Sequence, residues 1–209
     1  MGKYIIPKLY KQYYIDKQDE RRVLFQKIRE IYRPETGLYP GSFAHITPSL
    51  YIENMIYVDN DKRISKFFSS ENLTEYIRLN RAYKSEPALL GLQQDFKNNL
   101  PVKEISMDVL FSFYSGFISL HCKRYLKENG ILVCNDSHGD ASIATTDSDY
   151  QFIGVIKRVG DRFTISENDL HLYFQKKDRS AIDTKKVLSQ MRGENFTKKG
   201  YAYIFRKII

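Results

Sequence analysis

GLYPGSFAHITPSLYIENMIYVDND, residues 37–61, decides how the chain is read. Met55-Ile56-Tyr57-Val58 is a short apolar run of strand formers, and Asp59-Asn60-Asp61 stops it with turn residues. Earlier in the stretch Leu38-Tyr39 is a shorter strand closed by Pro40 and Gly41. Two parallel strands joined in this way form the first half of a nucleotide-binding α/β sheet, whose ligands lie beyond the carboxyl ends of the strands. Gly41 then lets the backbone approach a ligand closely, and Asp59 stands where it accepts hydrogen bonds from ribose hydroxyls. The same two residues also suit a plain turn and a helix cap. The stretch alone does not separate these readings.

Upstream, residues 1–15 mix tyrosine, isoleucine and lysine without a clean period and read as an extended arm. Asp16 or Asp19 caps a helix running to about Tyr32, with Val23, Leu24, Ile28 and Ile31 as its buried stripe and Pro34 beyond its end. Downstream, residues 62–84 give two helical pieces. Ile64, Phe67 and Phe68 face inward in the first, and Leu73, Tyr76 and Ile77 in the second. Residues 88–92 are a third strand. MDVLFSF (107–113) is a fourth, apolar almost throughout, as suits a parallel strand buried on both faces. Residues 117–126 predict a helix, Lys127-Glu128-Asn129-Gly130 a turn, and 131–134 a fifth strand with NDSHGDA (135–141) as the loop beyond it.

The rhythm then changes. Residues 150–159 and 162–166 flank Gly160-Asp161, a hairpin signal. Residues 170–174 are a further pairing candidate, a helix spans 184–191, and 201–205 form a last strand. Five β/α units with such an ending make an α/β, doubly wound, mostly parallel Rossmann-like sheet with an antiparallel C-terminal hairpin. No linker or repeat interrupts it, so the sequence predicts one domain over 1–209. Its parts are an arm and helix (1–33), a nucleotide-binding β/α core (34–149) and an antiparallel, basic portion (150–209).

The composition, 42% hydrophobic and 28% charged over 209 residues, is that of an ordinary globular protein able to bury a full core. No apolar run is long enough to span a bilayer. The N-terminal apolar stretch is too short for a secretory signal, and the sixth position, Ile6, lacks the Ser or Thr of a myristoylation signal. A cytoplasmic location and no membrane partner are therefore expected. Cys122 and Cys134 fall in a helix and a buried strand and read as small apolar residues, not as a staple. The net charge of +8 is localised: residues 157–209 carry thirteen Lys and Arg against six Asp and Glu. A basic portion of this kind attracts an anionic partner, nucleic acid or a phosphorylated small molecule; a scattered lysine surface also simply keeps a protein in solution.

Several segments carry a family resemblance. LKENGILV (126–133) resembles the turn into strand five of the class I S-adenosylmethionine-dependent methyltransferases, and MDVLFSFYS (107–115) is similar to their strand four and the start of their active-site loop. IYVDND (56–61) resembles their strand two with its ribose-binding acid, and LQQDF (92–96) the end of strand three, whose acid contacts the adenine amino group. The order of elements extends the resemblance to roughly residues 20–209. It implies S-adenosylmethionine as cofactor, with Asp59 at the ribose and Asp95 at the adenine. Tyr39, Gly41, Ser42, Asn60, Phe96 and Tyr114 complete the implied cofactor-binding set. The chain departs from the family in its first motif. One glycine, Gly41, replaces a G-x-G-x-G cluster and strand one has no acid, so Phe43 and His45 are expected to crowd the methionine end. Phe113-Tyr114-Ser115 also lacks the Asn-Pro-Pro-Tyr pattern, which points away from methylation of DNA base amino groups.

The densest polar cluster is the loop holding Asn135, Asp136, Ser137, His138 and Asp140. Asp136 and His138 are the catalytic candidates, with His138 suited to act as a general base near neutral pH. Asp136, His138 and Asp140, joined by His45, alternatively suit a divalent cation, and all of them equally suit satisfying their own turn. Three function classes follow. The first, adopted here without a metal, is S-adenosylmethionine-dependent methyl transfer to a small-molecule or nucleic-acid substrate drawn by basic residues in 157–209. The second is a methyltransferase-like binding or scaffold protein without activity, acting through that basic surface. The third is a hydrolase or other enzyme using a metal at the 135–140 loop.

Overall fold

The computed structural model describes residues 5–209, so the sequence readings that rest on Met1, Gly2 and Tyr4 lie outside the described residues. Among the described residues no helix is long and apolar enough to cross a membrane. The chain divides into two compact units, Met1–Asn98 and Asn99–Ile209, a boundary that falls inside the 34–149 span. The architecture is α/β and Rossmann-like, with mostly parallel strands and antiparallel strands toward the C-terminus.

In the first unit three parallel strands, β1 (Thr36–Pro40), β2 (Asn54–Asp59) and β3 (Ala88–Gln93), lie in the order β3-β2-β1, with Leu38 opposite Ile56 and Tyr57 opposite Gly91. The link from β1 to β2 is short for a parallel crossover. It turns through a single 3-10 segment, Thr47–Leu50, started by Pro48. That segment is anchored from the strand side: the Tyr57 hydroxyl accepts the Ser49 N–H at 3.2 Å and lies 2.5 Å from Ser49 Oγ. Ile46, Leu50 and Ile52 are fully buried, each a contribution of roughly 1.5–3 kcal/mol. The link from β2 to β3 carries the two expected helices, α3 (Ile64–Phe68) and α4 (Glu71–Asn80), whose Ile64, Phe67, Leu73, Tyr76 and Ile77 are buried.

The N-terminal segment departs from expectation. It is not extended: α1 (Lys8–Tyr10) continues into a π turn, Lys11–Ile15. Tyr10 and Tyr14, four residues apart, share a face and stack with centroids 5.9 Å apart. Tyr10 is fully buried, donating to Glu20 Oε1 at 2.5 Å and meeting Thr47 Oγ1 at 2.9 Å. The next helix, α2 (Arg22–Tyr32), starts later than predicted. Asp16 and Asp19 do not cap it; they pair with Lys11 and Arg21, and Arg21 enters the helix in a left-handed conformation. Its buried stripe is Leu24, Phe25 and Ile28, while Val23 and Ile31 are 41% and 50% exposed. The stripe is turned by about one residue because the large Phe25 ring takes the inward position.

The second unit holds five strands in the order β4-β5-β8-β6-β7. These are β4 (Met107–Ser112), β5 (Leu126–Cys134), β6 (Tyr150–Val159), β7 (Arg162–Ser166) and β8 (Ala202–Lys207). β4 and β5 pair in parallel, β8 runs antiparallel to both β5 and β6, and β6 and β7 form the expected hairpin. Lys127 to Gly130 do turn, but within β5. The register jumps from Met107 opposite Leu126 to Val109 opposite Ile131, with Asn129 in the left-handed region at φ 63°. The helix expected over 117–126 is broken at Cys122 into α5 (Ile118–His121) and a 3-10 turn, Lys123–Tyr125. A short helix, α6 (Asp140–Ala144), replaces the end of the loop after β5. The last helix, α7 (Thr184–Gln190), is capped by Asp183, which accepts from the Lys186 N–H at 3.0 Å. Residues 170–174 do not pair as a strand. They begin with a 3-10 turn, Leu170–Leu172, because the Tyr173 and Phe174 rings turn into an aromatic cluster with Phe152, Phe196, Tyr203 and Phe205.

Candidate functional site

In the first unit the chain leaves β1 through Gly41, at φ 66°, whose N–H donates to Val58 O of β2 at 2.7 Å. Phe43 follows, itself in the left-handed region at φ 46°. Its N–H donates to Asp59 Oδ2 at 2.8 Å, and the other oxygen of Asp59 accepts the Asp61 N–H at 3.0 Å. The acid at the end of β2 therefore ties down the loop after β1 and closes its own turn. Ser42 is buried, and its carbonyl accepts the Tyr14 hydroxyl at 3.1 Å. The Phe43 ring lies edge-on to Tyr13 at 4.9 Å, with the Arg63 guanidinium 4.5 Å above it.

His45 does not crowd this loop, contrary to expectation, because it is turned into the core. Its Nε2 is 3.1 Å from Glu20 O and must donate, so Nδ1 accepts the Tyr39 hydroxyl at 3.0 Å. Tyr14 stacks on the ring at 4.3 Å. Burial, aided by the nearby Arg21 cation, lowers its pKa to about 3. A neutral imidazole with both nitrogens engaged holds no cation, which removes His45 from the metal alternative. Tyr39 is buried and its hydroxyl serves His45. Asn60 and Asp95 are exposed and Phe96 is half-buried; Asp95 accepts the Lys97 N–H at 2.9 Å in the turn after β3.

In the second unit the ends of β4 and β5 meet. The Asn135 N–H donates to Ser112 O at 3.0 Å, and Asn135 Oδ1 accepts the Tyr114 N–H at 3.3 Å and the Ser137 hydroxyl at 3.0 Å. Tyr114, left-handed at φ 60°, is 53% exposed. Asp136 reaches forward to α6, accepting the Ser142 N–H and hydroxyl, each at 2.8 Å. Burial nevertheless raises its pKa to about 6. Asp140 is deeper. It accepts the hydroxyls of Ser112 and Ser119, both at 2.5 Å, and the Ser119 N–H at 3.0 Å. Burial raises its pKa to about 6 as well. With three donors around it and 1% exposure, Asp140 staples β4, α5 and α6 together rather than facing a ligand. Among the described residues no group of three or more His, Cys, Asp or Glu is placed to hold a metal ion, so the 135–140 loop does not form the cation site weighed from the sequence.

Beyond β4 and β5 opens a cavity of about 410 Å³, within the range of small-molecule sites. Tyr114, Asn135, Asp136 and Ser137 line it from the strand ends; Arg192, Lys199 and Tyr201 line it from the segment leading into β8, and Tyr203 from β8 itself. His138 is half-buried with Nδ1 3.0 Å from Ser137 Oγ and is not part of the lining. Two of the lining residues approach closely. A Cβ on Gly193 would stand 2.0 Å from Asp136 Oδ2, so only glycine lets the backbone pass this close to the carboxylate. Ser142 and Gly193 escaped the sequence reading because nothing local in the chain links them to Asp136.

No family model matches this sequence, and no curated protein matches it. Among solved structures the fold is similar to that of a methyltransferase from Geobacter sulfurreducens, at 14% identity over 79% of this chain and 91% of that one, with a TM-score of 0.51. The YcgJ protein from Bacillus subtilis aligns at 20% identity over 60% of this chain with a TM-score of 0.41. The present chain spans about half the length of that relative, 54%. The likeness to the Geobacter protein shows a methyltransferase-like fold, as the sequence resemblance implied.

Proposed function

We propose that this protein transfers a methyl group from S-adenosylmethionine to a small-molecule or nucleic-acid nucleophile. The observation that carries this reading is the Asp59 carboxylate at the carboxyl end of β2, coupled through the Phe43 N–H to the loop after β1 in a methyltransferase-like fold. The residues fit the ribose end of the cofactor. A carboxylate has about four lone-pair directions, and Asp59 uses one on each oxygen for backbone N–H groups, which leaves acceptors for a diol. Gly41 and the backbone of Ser42 would bound the methionine end, and Asp95, Asn60 and Phe96 belong to the proposed set around the nucleoside.

When bound, the cofactor supplies an electrophilic sulfonium methyl. The chain supplies position and a proton acceptor. Asp136, with a pKa of about 6, is mostly ionised at neutral pH, and it lines the cavity. It accepts the proton of an O–H or N–H nucleophile while Ser142 fixes its orientation with two hydrogen bonds. His138, with its Nδ1 3.0 Å from Ser137 Oγ, is the accompanying candidate. A cytoplasmic location and a small-molecule or nucleic-acid substrate recruited by the basic residues of 157–209 complete the reading.

Calorimetric titration with S-adenosylmethionine and its demethylated product tests it. Micromolar binding is expected, weakened roughly 10- to 100-fold in Asp59→Ala, the scale of hydrogen bonds to a charged group, with circular dichroism unchanged. Absence of binding at millimolar ligand overturns the reading and leaves a methyltransferase-like binding protein.

A further inference from the structure

The cavity beyond β4 and β5 is flanked by two others in the same unit. One, of about 520 Å³, shares Arg192, Gly193, Glu194 and Asn195 with it; the other, of about 620 Å³, shares Lys199, Gly200 and Tyr201. The middle hollow therefore adjoins both others through shared wall residues, giving a face with three neighbouring cavities. Their charge is lopsided. Lys177, Lys186 and Arg192 border the first flank, Lys199 joins the middle to the second, and Lys157 and Arg158 border the second. Facing them are three carboxylates. Glu194 is neutralised by Lys176 at 2.9 Å, Asp178 accepts from its own Ser180 turn, and Asp136 sits in the middle cavity. Cations thus lie on both sides of a pocket whose own wall carries Asp136, with Arg192 and Lys199 at its two borders.

We propose that this face is a track for a single-stranded nucleic acid, with phosphates on the two basic flanks and one base turned into the middle cavity. The pattern is what a strand presents: anionic charge before and after a base, and no charge on the base itself. A free mononucleotide would engage one flank only. A duplex would keep its bases stacked and out of reach of a recessed pocket. The half-exposed Tyr114 ring borders the middle cavity and offers a stacking surface, an interaction worth roughly 1–3 kcal/mol per base in single-strand binders. The meaning of the middle cavity as a reaction site rests on the methyl-transfer reading, but the track is tested without the cofactor.

Fluorescence anisotropy with labelled single-stranded RNA and DNA of roughly 12 nucleotides, between about 50 and 200 mM salt, reads it. Binding should weaken steeply with salt, and Lys157→Ala/Lys177→Ala/Lys186→Ala should flatten the log–log slope by about 2, near 0.7 for each lost phosphate contact. Lys84→Ala/Lys97→Ala/Lys103→Ala removes the same charge from residues that line none of the three cavities and should leave the slope unchanged. Equal loss in both triple variants, absence of binding at the lowest salt, or full displacement by an equimolar mononucleotide would each overturn the track. Oligonucleotide binding in a protein that ignores S-adenosylmethionine would leave the track standing and remove only the methyl-transfer reading.

Discussion

The loop after β1 and the loop after β5 both leave the carboxyl end of a parallel strand, and they are built in opposite ways. After β1 the chain is packed shut: Ala44, His45, Ile46 and Thr47 are all buried, His45 is wedged between aromatic rings, and Tyr10 and Tyr14 close over the turn. After β5 the chain stays open and polar, with Ser137 exposed and Asp136 on the wall of a 410 Å³ cavity. Burial then acts on titratable groups of opposite charge type. In the first loop it keeps a base neutral by lowering its pKa, and beside the second it favours the protonated acid by raising it. One topological position can thus serve as a rigid shelf in one unit and as a chemical surface in the other.

The largest effect that tests this contrast is on chemistry. Asp136→Asn keeps the shape of the side chain but cannot take a proton, so methyl transfer should fall by roughly 10²–10⁴-fold with cofactor affinity unchanged. The wild-type rate should rise toward pH 6 and level off above it, as a base with that pKa demands. A flat profile, or a mutant rate within a few-fold of wild type, would return the open loop to a plain turn.

Gly193→Ala comes next. Its methyl would stand 2.0 Å from Asp136 Oδ2, so either the carboxylate or the backbone must move. Overpacking of this kind costs roughly 1–3 kcal/mol, visible as a lower urea midpoint together with reduced activity. An unaltered midpoint and rate would show that the close approach does not matter.

The smallest effect is the most direct comparison of the two regions. His45 is neutral in the fold with a pKa of about 3, against an ordinary 6.5, so the unfolded chain binds its proton first. The stability this group contributes is complete above about pH 6.5 and is lost as pH falls toward 3. Asp136 and Asp140 have raised values near 6, so the folded chain binds their protons first; their contribution is complete below about pH 4 and is lost as pH rises through 6. Between pH 7.5 and 5, hydrogen exchange corrected for intrinsic rates should show residues 38–58 losing protection. Residues 112–142 should gain it, each change on the order of 1–2 kcal/mol. Protection moving in the same direction in both segments would break the contrast.

Much of the strand framework was legible because parallel strands buried on both faces write continuous apolar runs, and 55–58, 107–113 and 131–134 are such runs. The hairpin at Gly160-Asp161 announced itself through its turn residues. Other elements hid for physical reasons. The N-terminal helical turn is held by Tyr10 reaching Glu20 and Thr47, contacts that no local period encodes. The bulge in β5 looks like a turn in sequence because it is one, set inside a strand. At the site, Asp59 and Asp136 could be named from their places after strands. The partners that decide what they do, the Phe43 N–H, Ser142 and Gly193, depend on backbone paths visible only in three dimensions. His45 was misjudged because sequence places a side chain near a loop without saying which way it turns.

The position of β8 also bears on how the protein is made. This strand lies between β5 and β6, yet both of those, and β7, leave the ribosome before it. While the chain from Ser166 to Lys207 is being synthesised, a few seconds at roughly 5–20 residues per second, the nascent unit holds a vacancy in the middle of its sheet. Two rows of unpaired backbone groups flank that gap, and they are a template for any passing strand. Chaperone occupancy of translating ribosomes should therefore peak before β8 emerges and collapse once it inserts.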